Sequence, residues 1–69
     1  MIRMKRLREA KGLSKQQLSY IAQVPASTIG WIESGRFTPY EPQLRRCAVA
    51  LGFVDDPQAL LDEVDDDHA

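Results

Sequence analysis

Only one of the 69 residues is a cysteine, Cys47, and only one is a histidine, His68. An internal disulfide is therefore excluded, and a zinc site, which usually draws on several Cys or His ligands, is not expected. No apolar run approaches the roughly 20 residues that a membrane-spanning helix needs. The opening MIRMKRLREAKG is charged but has no apolar segment and no small-residue cleavage site, so it does not read as a signal peptide. A paired base and nucleophile are missing, as is a glycine-rich phosphate loop, which argues against an enzyme. The most informative shortage is of positive charge beyond Arg46. All nine Lys and Arg lie between Arg3 and Arg46 beside only Glu9, Glu33 and Glu41, so that segment carries +6. From Asp55 onward seven acids stand without a base, −7, and the whole chain nets −1. Charge acts locally, so the average conceals a basic segment suited to a polyanion.

What is present has helical spacing. A chain this short buries only about 60% of the surface its unfolded form exposes, and stability has to come from a compact core. Apolar residues recur three and four apart in Met4 and Leu7, then in Leu18, Ile21 and Ala22, then in Ile29 and Ile32. Leu44, Cys47, Ala48 and Leu51 continue the pattern, with Leu60, Leu61 and Val64 as a fifth stripe. Gly12, Gly35 and Gly52 each follow such a stretch, where glycine ends a helix in the left-handed conformation. SKQQ, from Ser14 to Gln17, has the form of a capping box. Pro25 suits the first turn of a third helix. Only Gln23 and Val24 then separate the second and third helices, which forces the sharp corner of a helix-turn-helix. Cys47 falls on the core stripe and reads as a small apolar residue.

The stretch LSKQQLSYIAQVPASTIGWIESGRFTP resembles the helix-turn-helix of Cro and the phage repressors, the XRE family. Leu13, Ser14, Leu18, Val24, Ile29, Ile32, Glu33, Gly35 and Pro39 fall in step with that pattern, as do Leu7, Arg8 and LRRCAVALG. The likeness covers roughly residues 2–61. It implies an all-α, compact, four- to five-helix domain of the lambda-repressor-like kind over residues 1–61, with the helix-turn-helix at helices 2 and 3. An acidic tail over residues 62–69 is expected to be disordered. Four positions depart from the family. Gln23 stands where the turn usually has glycine, and Pro25 replaces the usual capping serine. Lys15 replaces a glutamine that often touches the DNA backbone or a base edge, and Gly30 replaces a larger polar residue.

Carried over position by position, the resemblance sets Ala26, Ser27, Thr28, Gly30 and Trp31 toward the bases in the major groove. Ser27 and Thr28 bond to several bases and so read sequence weakly, while Ala26 and the Thr28 methyl suit thymine methyl groups. The DNA backbone is expected to meet Arg8, Ser14, Lys15, Gln16, Arg36 and Thr38, with Lys5 and Lys11 as further cations. Arg8 and Glu33 are expected to form a partly buried ion pair that locks the first helix to the end of the third. Trp31 has two readings, a contact with DNA or a small cluster closed over Phe37 and Tyr40. Gly30 has two as well, close approach to DNA or close packing against another helix.

The function this implies is sequence-specific DNA binding by a transcription regulator, a Cro-like repressor of phage or prophage that occludes its operator. Its partner is double-stranded DNA in the bacterial cytoplasm, at the nucleoid, with no cofactor, small-molecule ligand or membrane. A weak homodimer on DNA would have to use Phe53, Val54, Leu60 and Leu61, and a monomeric binder stays open. The rival reading is an antitoxin or a protein-interaction adaptor on the same fold.

Overall fold

The computed structural model describes residues 1–65. Four α-helices follow one another: α1, Arg3–Ala10; α2, Lys15–Ala22; α3, Ala26–Glu33; and α4, Glu41–Leu51. A 3-10 helix, Pro57–Leu61, completes the fold. Among the described residues there is no β-strand, and one isolated antiparallel bridge joins Ile2 to Glu63. The helices are short, at eight to eleven residues. Isolated helices of that length are marginal in water, so packing has to hold them.

The core supplies that packing. Met4, Leu18, Ile29, Ile32, Leu44, Cys47 and Leu60 are wholly or almost wholly enclosed, one or two from each element. α2 packs on α3 and α4, and the 3-10 helix packs on α1 and α4. α2 turns a narrow stripe inward, Leu18 and Ala22. Ile21 falls at its edge and stays largely in solvent, contrary to its place in the expected stripe.

Helix ends follow the glycines. After α3, Gly35 takes φ +80, its N–H donates to the Ile32 carbonyl at 3.1 Å, and the Arg36 N–H donates to the Trp31 carbonyl at 2.8 Å. This paired arrangement satisfies carbonyls that the end of the helix would otherwise leave open. α2 begins with the expected capping box. The Gln17 N–H donates to Ser14 Oγ at 3.0 Å, and the Ser14 N–H donates to Gln17 Oε1 at 2.8 Å.

Two expectations about the C-terminal part need correction. The tail was expected to loosen from residue 62, but Asp62, Glu63 and Val64 are tied to the start of the chain. The Arg3 N–H donates to the Asp62 carbonyl and the Val64 N–H donates to the Met1 carbonyl, each at 2.8 Å. Arg3 also lies 3.7 Å from an Asp62 carboxylate oxygen. The cause is that a basic first segment and an acidic last one are brought side by side. The rest of the expected tail, residues 66–69, lies outside the described residues. The expected pairing surface is also narrower than its apolar residues imply. Leu60 is fully enclosed, Phe53 and Leu61 are half-buried against the core, and Val54 stands 94% exposed. The 3-10 helix turns its apolar side inward because it is the lid over α1 and α4.

Candidate nucleic-acid interface

The geometry of the candidate site begins in the turn. Gln23 adopts φ 60 and ψ 42, the one non-glycine residue with positive φ among those described. A side chain in that region costs roughly 1 kcal/mol or more. Partial compensation comes from Gln23 itself. Its amide Nε2 donates to the Tyr20 carbonyl at 2.8 Å and its backbone N–H to the Ser19 carbonyl at 2.8 Å. Val24 then drops into the core, and Pro25, with extended ψ 141, leads into α3. Proline offers no capping side chain, so the first amides of α3 carry no side-chain acceptor. They remain free for an acceptor from outside the protein.

α3 is divided by its own periodicity. Ile29 and Ile32 point into the core, and the other side carries Ala26, Ser27, Thr28, Gly30 and Trp31. Ser27 is exposed, while Ala26, Thr28 and Gly30 are half-buried. Trp31 is 50% exposed and Tyr40 72% exposed, whereas Phe37 packs against the core. A closed cluster of these three aromatics is therefore not what the fold forms, and half of the indole faces water. Gly30 has no helix pressed against it. A Cβ built there would meet only Lys15, at ordinary contact distance. The close-packing account of this glycine has no support in the structure.

Ser14, Lys15 and Gln16 stand exposed at the start of α2, and Arg36 and Thr38 are exposed in the loop after α3. Ser14 Oγ accepts the cap bond and keeps its own O–H to donate. Arg8 and Glu33 meet as an ion pair. Arg8 is buried, with Nε donating to Glu33 Oε2 at 2.8 Å, Nη2 to Glu33 Oε1 at 3.0 Å and Nη1 to the Leu13 carbonyl at 2.8 Å. Hydrogen bonding to Glu33 raises the Arg8 pKa against the opposing effect of burial. A guanidinium so committed joins α1, the α1–α2 loop and the end of α3.

A family model described as a helix-turn-helix domain matches residues 2–61. The chain belongs to that family. No curated protein and no solved structure matches it. Within this helix-turn-helix domain, α2 and α3 are the two helices that name the motif, and the match extends across α1, α4 and the 3-10 helix. No group of three or more His, Cys, Asp or Glu that could hold a metal ion occurs among the described residues, and no helix is long and apolar enough to cross a membrane.

Sequence reasoning missed one surface of the domain. Tyr20, Ile21 and Val49 are all exposed, and they border two shallow grooves along α2 and α4 that meet at Ile21. Arg45 and Arg46 line one of them. The signal was available in part, since Tyr20 and Val49 lie off the apolar stripes of their helices.

Proposed function

We propose that this helix-turn-helix domain is a sequence-specific DNA-binding transcriptional regulator of the Cro type that represses by occluding its operator. The observation that carries this reading is the division of α3. Its aliphatic side is locked into the core, and a side of small, hydroxyl and indole groups is offered outward at the end of a short, rigid turn. In the major groove that side meets base edges, while Ser14, Gln16 and Arg36 meet phosphates beside it. The exposed residues of α3 are neutral, so affinity rests on the surrounding cations and on shape. Titration of the DNA upstream of its own gene, at physiological salt with excess random competitor, tests this. A competitor-resistant complex supports the reading. Binding that disappears with competitor leaves only the electrostatic part common to any basic protein and refutes it.

The exposed Tyr20, Ile21 and Val49 favour a second reading, in which the α2–α4 face holds another protein, as in an antitoxin or adaptor. The two readings separate on self-sufficiency, because a regulator of the first kind finds its site alone.

A further inference from the structure

The absence of a side chain at Gly30 has a specific neighbour. A Cβ built on Gly30 would lie 3.7 Å from Lys15 Nζ and 3.8 Å from Lys15 Cδ, and nothing else approaches within 4 Å apart from the helix backbone and chain neighbours. Lys15 is the first residue of α2, and its side chain therefore crosses from α2 onto the middle of α3. It occupies the track that a side chain at position 30 would have taken. By helix geometry that track continues into Ala26 and Ser27, one turn earlier on the same face. The ammonium forms no salt bridge and no side-chain hydrogen bond among the described residues.

We infer that Lys15 is a base-reading residue, laid across Gly30 into the recognition face, and that it selects a guanine at one position of the site. The inference rests on the DNA-binding reading above and deepens it. Ala26, Ser27, Thr28, Gly30 and Trp31 bring no charge of their own, so Lys15 brings a formal charge to an otherwise neutral set. An ammonium has three donors and no acceptor. In the major groove it matches guanine, whose N7 and O6 are adjacent acceptors, and it mismatches the amino donors of adenine and cytosine. Gly30 acts as the positioning residue: a long side chain there has to share the track with Lys15 and lifts the ammonium off the face. A lysine serving only as a phosphate clamp has no need of a bare position on the recognition helix.

The experiment uses the full chain and a duplex selected by it from a randomised pool. Binding is measured by fluorescence anisotropy for wild type, Lys15→Met and Gly30→Gln. Circular dichroism establishes that each variant is folded. Each guanine of the selected duplex is then replaced in turn by 7-deazaguanine or by adenine in an A·T pair. The expected result is one position at which wild type loses about tenfold and both variants lose almost nothing. If Lys15→Met weakens binding equally at every position and lowers the salt slope by about one, Lys15 is a phosphate contact and the inference is overturned. If Gly30→Gln keeps full discrimination at the guanine, the track across Gly30 is wrong. If wild type selects no sequence at all, the DNA-reading function itself fails, a result distinct from either of these.

Discussion

Replacing Glu33 with alanine is expected to remove about 3–5 kcal/mol of folding stability. The figure follows from the surroundings of the pair. The side chains of Arg8 and Glu33 are 8% and 3% exposed, and the two guanidinium–carboxylate bonds measure 2.8 and 3.0 Å. Water therefore screens the pair poorly, and the loss of Glu33 leaves the enclosed Arg8 guanidinium with only the half-exposed Glu9 carboxylate, 3.8 Å away. A domain of this length holds only about 3–10 kcal/mol in total, so the variant should sit near its unfolding midpoint. Thermal unfolding followed by circular dichroism should show a drop of about 12 °C or more. Glu33→Gln keeps one acceptor and should lose less, which keeps the comparison readable if the alanine variant unfolds. The double variant Arg8→Met with Glu33→Leu should recover most of the loss, because a buried pair replaced by apolar side chains is often neutral. Full recovery is not expected, since the Leu13 carbonyl loses the 2.8 Å donor that Arg8 supplies. A cost for Glu33→Ala within about 1 kcal/mol, the range of surface ion pairs, would refute the reasoning.

Three further outcomes follow from the same structure. Gln23→Gly should raise stability by about 0.5–1 kcal/mol, measured by urea unfolding, because the left-handed φ of 60 costs glycine nothing and the lost Tyr20 contact is exposed. Leu60→Ala should cost about 2–5 kcal/mol and shift the urea midpoint accordingly, since Leu60 is fully enclosed between α1 and α4. Burial pushes the Cys47 thiol up from 9.0 to about 11, with Arg46 opposing and Glu33 adding to the shift. The folded state thus holds the proton more tightly than the unfolded one. That stabilisation is complete below pH 9 and falls by about 2–3 kcal/mol as pH rises toward 11. Urea midpoints between pH 8 and 11 should fall more steeply for wild type than for Cys47→Ala, and equal slopes would contradict the assignment.

How much of this could be read from the chain depends on the range of the interaction. Gly12, Gly35 and Gly52 stand at positive φ after their helices, as local punctuation implies. The missing turn glycine at Gln23 is likewise visible in the sequence, and it surfaces as a strained backbone with a compensating amide contact. Leu60 and Phe53 went astray because periodicity shows that a stretch is apolar but not whether the partner is the same chain or another. The pairing of Arg3 with Asp62 joins residues that no local pattern connects. In the candidate site, the register with the family names positions, while exposure and direction are tertiary facts. The burial of Arg8 and the lie of Lys15 over Gly30 both depend on how α1, α2 and α3 pack, which no local pattern carries.

The bridge between Met1 and Val64 has a topological consequence. Met1 and Val64 exchange backbone hydrogen bonds, at 2.8 Å from the Val64 N–H and 3.3 Å from the Met1 ammonium. In space residues 1–64 then form a ring with one seam, and in a version cut after Val64 a short glycine-rich linker would close it covalently. New ends opened at the exposed Gly12, between α1 and α2, would yield an order of α2, α3, α4, 3-10 helix and α1 with every helix intact. The same seam makes Met1 and Val64 neighbours on one spot of the surface, so two probes attached at these positions would report from nearly the same point.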